Sequence, residues 1–367
     1  MVPNLRFKKF NNNWSRTTIS KVCVCNPKNE DKLDDEFIYI DLESVEKGVL
    51  KSKNIIHLKN APSRAQRILY KNDILFQSVR PYQRNNYLLN EDDDFLQYVA
   101  STGYIQLRTT LNPYFLFQLL NTDKINNEVM LRCTGTSYPA INSNDFSNIL
   151  ITITNDRNEQ NKIAKFFSLI EERIQTQIKI IDSYFSLSKA ISNTLIGQSK
   201  GNTRLRECLN CYSSNTMESV IKQEDLGDYP VYGANGIIKK INNYEIEHPS
   251  IAIVKDGSGV GKMFKLSGKY SILSTLNYLT SKPGYDIDYI YYALKQKSLK
   301  KYVVGSGIPH IYFKDYEQEK IYIPQNELQQ QNITSVLQSI DEEIGNEIKQ
   351  LKNYELLKKY LLKNMFV

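Results

Sequence analysis

From residue 163 onward, apolar side chains recur at steps of three and four: Ile163, Phe167, Ile170, Ile174, Ile178, Ile181 and Phe185. The rhythm returns near the C-terminus at Ile333, Leu337, Ile340, Ile344, Ile348, Leu351 and Tyr354. Such spacing lays one apolar stripe along one face of an α-helix, the pattern of a coiled-coil seam. Glu171, Glu172, Arg173 and Lys179, and Asp341, Glu342, Glu343 and Lys349, fall between these positions and suit a solvated face. Asn155 or Asp156 can cap the first helix and Asn326 the second. The first should end near Gly197, and the second should run nearly to Val367. Each helix would be about forty residues, hence about 60 Å long at 1.5 Å per residue. One long amphipathic helix cannot bury its stripe alone. Two equivalent helices in one chain can, with Ile163, Phe167, Ile170, Ile174 and Ile178 packing against Ile333, Leu337, Ile340, Ile344 and Ile348. A homodimeric coiled coil is the alternative.

The two stripes belong to a longer internal repeat. At a shift of 170 positions, Gly135 falls on Gly305, Pro139 on Pro309, Ile141 on Ile311, Asp145 on Asp315 and Ile151 on Ile321. The register continues through Ile163 on Ile333, Glu172 on Glu342 and Tyr184 on Tyr354. A unit this long is not a solenoid repeat. Ahead of each helix lies enough chain for one domain. Both regions mix β-like runs (residues 74–79, 149–153, 250–254 and 320–323) with helical stretches (114–120 and 288–295). Upstream the alignment loosens, and Tyr114 would pair with Tyr289 at a shift of 175. The expected fold class is α+β: two similar mixed α/β domains separated by two long antiparallel helices in an intramolecular coiled coil, with an internal pseudo-twofold repeat. The expected bounds are 1–154 and 201–324 for the domains, and 155–200 and 325–367 for the helices.

Composition narrows the partner more than the fold. The chain has 367 residues, 41% hydrophobic and 24% charged, enough for a real core and unlike a disordered chain. Its start lacks the apolar stretch of a secretory signal and no apolar run is long enough to span a membrane, so a cytoplasmic location is expected. A net charge of +7 suits a polyanionic partner, and 25 tyrosines can stack or bond phosphates. Five cysteines without an export signal argue for reduced thiols. Cys208 and Cys211 could supply half a zinc site, with Cys23 and Cys25 the other half; unpaired thiols near the start of two equivalent folds is the plainer reading.

In combination these features resemble the specificity subunits of type I restriction–modification systems. Residues 2–14 (VPNLRFKKFNNNW) are similar to that family's N-terminal lead-in, and residues 71–82 (KNDILFQSVRPY) to its first-domain strand and loop. Residues 229–238 (YPVYGANGII) and 253–262 (IVKDGSGVGK) resemble its second-domain signatures, and residues 356–367 (LLKKYLLKNMFV) its closing helix. The resemblance implies two target-recognition domains, each reading half of a bipartite, asymmetric site in double-stranded DNA. It implies helices that measure the unread spacer and dock methyltransferase subunits, with restriction–translocase subunits joining that core. No cofactor, metal or catalytic residue is implied for the chain itself; S-adenosylmethionine would bind the methyltransferase.

Candidate contacts follow from the residues. Arg80, Tyr82 and Arg84 come just after a strand, and arginine can read guanine edges or clamp phosphate. Residues 256–263 (DGSGVGKM) fail as a P-loop, since Asp256 stands where the first glycine belongs and Met263 where Ser or Thr belongs. A tight turn is expected instead, with its backbone amides, Lys255, Ser258 and Lys262 approaching a DNA backbone; a plain hairpin turn is the alternative. Asn112-Pro113-Tyr114 resembles part of an adenine-methyltransferase tetrapeptide but lacks the cofactor turn, and is better read as a helix start. Asp92-Asp93-Asp94 reads as a solvated loop. The rival functions are a self-contained DNA-modifying enzyme and a coiled-coil scaffold that never meets DNA.

Overall fold

The computed structural model describes residues 2–90, 95–221 and 227–367; the acidic run at 92–94 lies outside them. The chain divides into two compact units, residues 1–178 with 349–367, and residues 179–348. Each unit thus holds one sheet-rich region and a stretch of both long helices.

In unit 1 the buried strand Ile74–Gln77 lies between Tyr104–Thr109 and Tyr87–Leu88, with Cys23–Cys25 on the outer side of Tyr104–Thr109, all antiparallel. A second sheet runs Asn54–His57, Glu36–Ile40, Gln97–Ser101, Ala65–Leu69, and its central pair is parallel. Ser15–Thr18 pairs with Leu150–Ile153 ahead of the first long helix. Helix Pro113–Leu120 starts as its sequence dictates: the Asn112 side chain accepts from the Phe115 amide, and Pro113 occupies the first turn. It buries Phe115, Leu116, Leu119 and Leu120 in a core that also holds Ile74, Phe76 and Leu107.

Unit 2 repeats this plan. Its first sheet runs Leu209–Ser213, Leu276–Ser281, Ser250–Val254, Met263–Leu266, again antiparallel. The second runs Gly236–Ile241, Tyr229–Gly233, Ser271–Ile272, again with a parallel pair. Thr203–Arg204 pairs with Lys320–Ile321, matching the short pair of unit 1. Where unit 1 has strand Ala65–Leu69, unit 2 has an isolated antiparallel bridge between Ile246 and Tyr270. Asp286 caps helix Ile287–Lys295 through its side chain. Laid cap on cap, Tyr289 matches Phe115 rather than Tyr114, and both matched rings are fully buried. The tyrosine-on-tyrosine alignment was therefore one residue out, because burial and not residue type defines the position.

The first long helix is Arg157–Ser192, closing in a π-helical turn at Asn193–Gly197, and the second is Glu327–Met365. Asp156 caps the first, accepting from the amides of Asn158 at 2.9 Å and Glu159 at 3.3 Å, and Asn326 caps the second through the Leu328 amide at 2.9 Å. Within unit 1 the helix stretches run antiparallel: Glu171 pairs with Lys358, Arg173 Nε donates to Tyr354 Oη at 3.1 Å, and Gln350 Nε2 donates to Gln177 Oε1 at 3.2 Å. Ile163 and Phe167 share the unit 1 core with Leu361, Met365 and Phe366. In unit 2, Ile333 and Leu337 share a core with Ile196, Tyr289 and Ile290, and Tyr292 Oη donates to Asp341 Oδ2 at 3.0 Å.

The seam departs from the expected stripe in its middle. Ile174, Ile181 and Ile344 are buried and Ile170, Ile178 and Ile340 half-buried, but Ile348 is 47% exposed and Phe185 is 52% exposed. A strict alternation of three and four steps from Ile174 through Ile181 requires Gln177, which is 1% exposed. From Ile344 the same alternation requires Glu347, so Ile178 and Ile348 each lie one residue past the contact line. The 3.5-residue period fixes which positions lie on the seam, and a polar occupant such as Gln177 is accepted there at a cost in stability.

Candidate nucleic-acid interface

Both predicted contact segments leave the end of a buried central strand, and the fold gives them one backbone course. In unit 1, Ile141 N donates to Ser78 O at 3.0 Å, Arg80 N to Pro139 O at 2.8 Å, and Gln83 N to Arg80 O at 3.0 Å. In unit 2, Ile311 N donates to Lys255 O at 2.9 Å, Gly257 N to Pro309 O at 2.9 Å, and Val260 N to Gly257 O at 3.0 Å. The equivalence extends to the dihedrals. Arg80 and Arg84 have φ of +55° and +56°, and Gly257 and Gly261, four residues apart in the same way, have +92° and +83°. Glycine adopts this region freely, whereas a residue with a Cβ does so at a cost of about 1–2 kcal/mol.

Each loop rests on a hairpin. In unit 1 Thr134 and Ala140 exchange backbone hydrogen bonds, and Tyr138 stands at the tip, 63% exposed. The Arg80 guanidinium lies over the Tyr138 ring, 4.4 Å from its centroid. In unit 2 Val304 and His310 exchange the same pair of bonds, and the tip presents Ile308, 71% exposed. His310 packs beside Tyr312 with ring centroids 5.1 Å apart.

The individual side chains separate into groups. Tyr82 is 51% exposed. Arg84 is held by Asp123 at 2.7 Å. Among the described residues no hydrogen bond or ion pair engages the Arg80 guanidinium. Ser258 and Lys262 are exposed, and Lys262 Nζ donates to Asn235 Oδ1 at 3.3 Å, bringing the 229–238 and 253–262 segments together. Lys255 departs from expectation: it is half-buried, and its charge acts on the Cys211 thiol, opposing the burial that pushes that thiol up to about 11. The glycine-rich turn is also less available than expected. The amides of Lys255, Asp256, Gly257, Val260, Gly261 and Lys262 all donate to backbone carbonyls of unit 2. These bonds leave the amides of Ser258 and Gly259, with the Ser258 and Lys262 side chains, as the donors of the turn open to a ligand.

Beside the Arg80–Tyr138 contact, unit 1 forms a cleft of ≈1090 Å³ lined by Glu43, Glu46, Lys51, Arg64, Arg80 and Tyr138, with Lys51 paired to Glu46 at 3.6 Å. The sequence reading missed Lys51, Arg64 and Tyr138. Their one signal was the place of Tyr138 immediately before Pro139, an anchor of the repeat. Arg108 is structural: it bonds Asp73, which is 1% exposed, through Nε at 3.0 Å and Nη2 at 2.9 Å.

Among the described residues no cluster of three or more His, Cys, Asp or Glu could hold a metal ion. Cys23 and Cys25 belong to unit 1 and Cys208 and Cys211 to unit 2. Burial pushes Cys23 and Cys208 up to about 12 and Cys25 to about 11, so these thiols are protonated at neutral pH. No helix among the described residues is long and apolar enough to cross a membrane.

Comparison with known proteins gives one consistent result. The family described as the type I restriction modification DNA specificity domain matches residues 203–353. The chain is 34% identical over 169 residues to the type I restriction enzyme MjaVIII specificity subunit of Methanocaldococcus jannaschii, covering 42% of this chain and 39% of that protein. It is 25% identical over 142 residues to the HindI specificity subunit of Haemophilus influenzae, covering 37% of this chain and 30% of that one. The matched segments thus span well under half the length of these two relatives. Among solved structures, a type I restriction–modification S subunit from M. genitalium superposes with a TM-score of 0.67 at 19% identity, over 100% of this chain and 99% of that one. A chain from a study of type I assembly and conformational transition superposes with a TM-score of 0.57 at 20% identity, over 97% and 98%. At such identities these likenesses establish the shared fold.

Proposed function

We propose that the chain is a type I restriction–modification specificity subunit, the DNA-recognition subunit of such a complex, in line with its matches to that domain and to relatives of that name. Each unit reads one half of a bipartite, asymmetric site in duplex DNA, and methyltransferase subunits dock on the chain. Restriction–translocase subunits join that assembly in the cytoplasm. The chemistry belongs to the partners: S-adenosylmethionine and the methylated adenine sit on the methyltransferase. The observation that carries this reading is the duplicated loop, one backbone course presenting different side chains in two units of one topology. A shared frame with divergent tips is what two readers of different sequences require. Arg80, Tyr82, Ser258 and Lys262 are the contact residues, and Lys51 and Arg64 seat the phosphate backbone beside Arg80.

Binding of the full chain to duplex DNA, titrated against salt, tests this. Log affinity should fall linearly with log salt, and each phosphate-contacting lysine or arginine removed should shrink the slope by about 0.9. Salt-independent or absent binding would favour a scaffold. Methyl transfer from labelled S-adenosylmethionine by the chain alone would make it an enzyme and refute the assignment.

A further inference from the structure

We propose that Arg80, braced by Tyr138, selects a guanine in the half-site read by unit 1, and that the matching loop of unit 2 has no side chain doing this work. The proposal rests on the reading of the chain as a DNA-recognition subunit and assigns chemistry to one half of its site.

Three observations converge on Arg80. The first is its backbone. The loop takes positive φ at two places in both units, and unit 2 fills both with glycine, as the geometry favours. The fold therefore needs no side chain at this position, yet unit 1 places an arginine there against the conformational preference. Strain of this kind persists where the side chain serves function.

The second is the state of the guanidinium. Arg84 has the same strained backbone but is held by Asp123 at 2.7 Å, and Arg108 is locked onto Asp73. Arg80 has neither kind of partner among the described residues. It lies instead over the Tyr138 ring, 4.4 Å from the centroid. A cation–ring contact takes up no hydrogen-bond acceptor, so the N–H fork of Arg80 stays available while the ring restricts where the guanidinium can sit. A free, pre-oriented fork matches the O6 and N7 acceptors that guanine presents in the major groove.

The third is the surroundings. Arg80 and Tyr138 line the cleft that also carries the exposed Arg64 and Lys51; Lys51 pairs with Glu46 at 3.6 Å and Glu43 lines the same cleft, which leaves Arg64 as the cation next to the fork without a carboxylate partner among the described residues. Cations beside a base-reading fork can hold phosphates and fix the register of the duplex. In unit 2 the positions matching Arg80 and Tyr138 carry Gly257 and Ile308, a loop without a fork and an apolar tip.

The test is selection of bound sequences by the full chain from a duplex library randomised over more than the length of a site. Wild type is compared with Arg80→Lys, Arg80→Gly, Tyr138→Phe, Tyr138→Ala and Arg64→Ala. Wild type should enrich a bipartite motif. Arg80→Lys and Arg80→Gly should each lose preference at one G·C pair of one half, by roughly ten- to a hundredfold, with the other half intact. Thermal melting of Arg80→Gly should match or exceed wild type, which separates loss of reading from loss of fold. Tyr138→Ala should weaken discrimination at that same pair and Tyr138→Phe should restore it, because the ring and not the hydroxyl braces the fork. Arg64→Ala should lower affinity evenly across sequences. An unchanged motif in Arg80→Gly, loss at an A·T pair, or loss spread over both halves would overturn the proposal. If wild type enriches no motif, the DNA-recognition reading falls, and the proposal with it.

Discussion

Phe366 tests whether the end of the second long helix is part of the unit 1 core or a strap lying over it. Its ring is 6% exposed, with centroids 5.5 Å from Phe115, 5.8 Å from Phe167 and 6.2 Å from Trp14. Phe115 and Phe167 are fixed on helices and fully buried, and Trp14 is 3% exposed, so the neighbours have little freedom to close a gap. Truncating such a phenylalanine to alanine costs about 3–5 kcal/mol, the transfer of the ring plus an uncollapsed cavity. That is a large part of the 5–15 kcal/mol that holds an ordinary domain together. Native-state hydrogen exchange on Phe366→Ala, read peptide by peptide, should show helix Pro113–Leu120 and strand Tyr104–Thr109 losing protection by about that amount. Strand Ser250–Val254 should lose far less. A loss under about 1 kcal/mol at Pro113–Leu120 would show that the core closes without the ring and would refute the packing argument.

Arg6 donates from Nε to Glu159 Oε1 at 2.6 Å and from Nη2 to Oε2 at 2.8 Å, and the carboxylate is fully buried. Arg6→Ala should destabilise by about 3–5 kcal/mol in urea unfolding, because it strands that charge. Cys23 and Cys25 are held at about 12 and 11 against an ordinary 9.0, so native thiols stay protonated where unfolded ones ionise. Alkylation at pH 8 should be slow until urea is added, and stability should fall as pH rises from about 9 toward 12, the unfolded state losing its protons first. Gly257→Ala places a Cβ in open space at φ +92°, so its cost is purely conformational. Chemical denaturation should show a loss of about 1–2 kcal/mol, and no loss would mean that the loop relaxes.

The frame was legible in sequence because it is periodic. The helix caps, the end of the first helix near Gly197 and the match of Pro139 to Pro309 all follow from residue type and a fixed shift. The two glycines that anchor the shift, Gly135 and Gly305, share a φ of +89° and +97°, so the repeat is a repeat of backbone demands. What failed was local. Ile178 and Ile348 each lie one residue past heptad spacing, and the middle of the seam shows it: Gln177 is 1% exposed while Ile348 is 47% exposed. The glycine-rich turn reads as a donor nest in sequence, where nothing shows that Thr275, Pro309 and carbonyls of the turn itself take up most of its amides. Tyr138 was invisible because its role comes from a contact with Arg80, 58 positions away in the chain.

Arg80 and Arg84 show why the two loops must be compared before either is interpreted. Taken alone, both are strained arginines after a strand, and both look like reading residues. The ion pair of Arg84 with Asp123 is 36% and 49% exposed, a class worth about 0–1 kcal/mol, against about 1–2 kcal/mol for its backbone conformation. Even so, Arg84 has an intramolecular use: it ties the loop to the first turn of helix Asp123–Arg132. Arg80 has only the cation–ring contact, worth about 0.5–1 kcal/mol at an exposed site. Neither arginine is repaid in full by the fold, but the shortfall at Arg80 has no structural explanation, since Gly257 takes the same turn without a side chain. Of these two arginines, the unpaid strain therefore falls on Arg80, whose guanidinium no hydrogen bond or ion pair engages among the described residues.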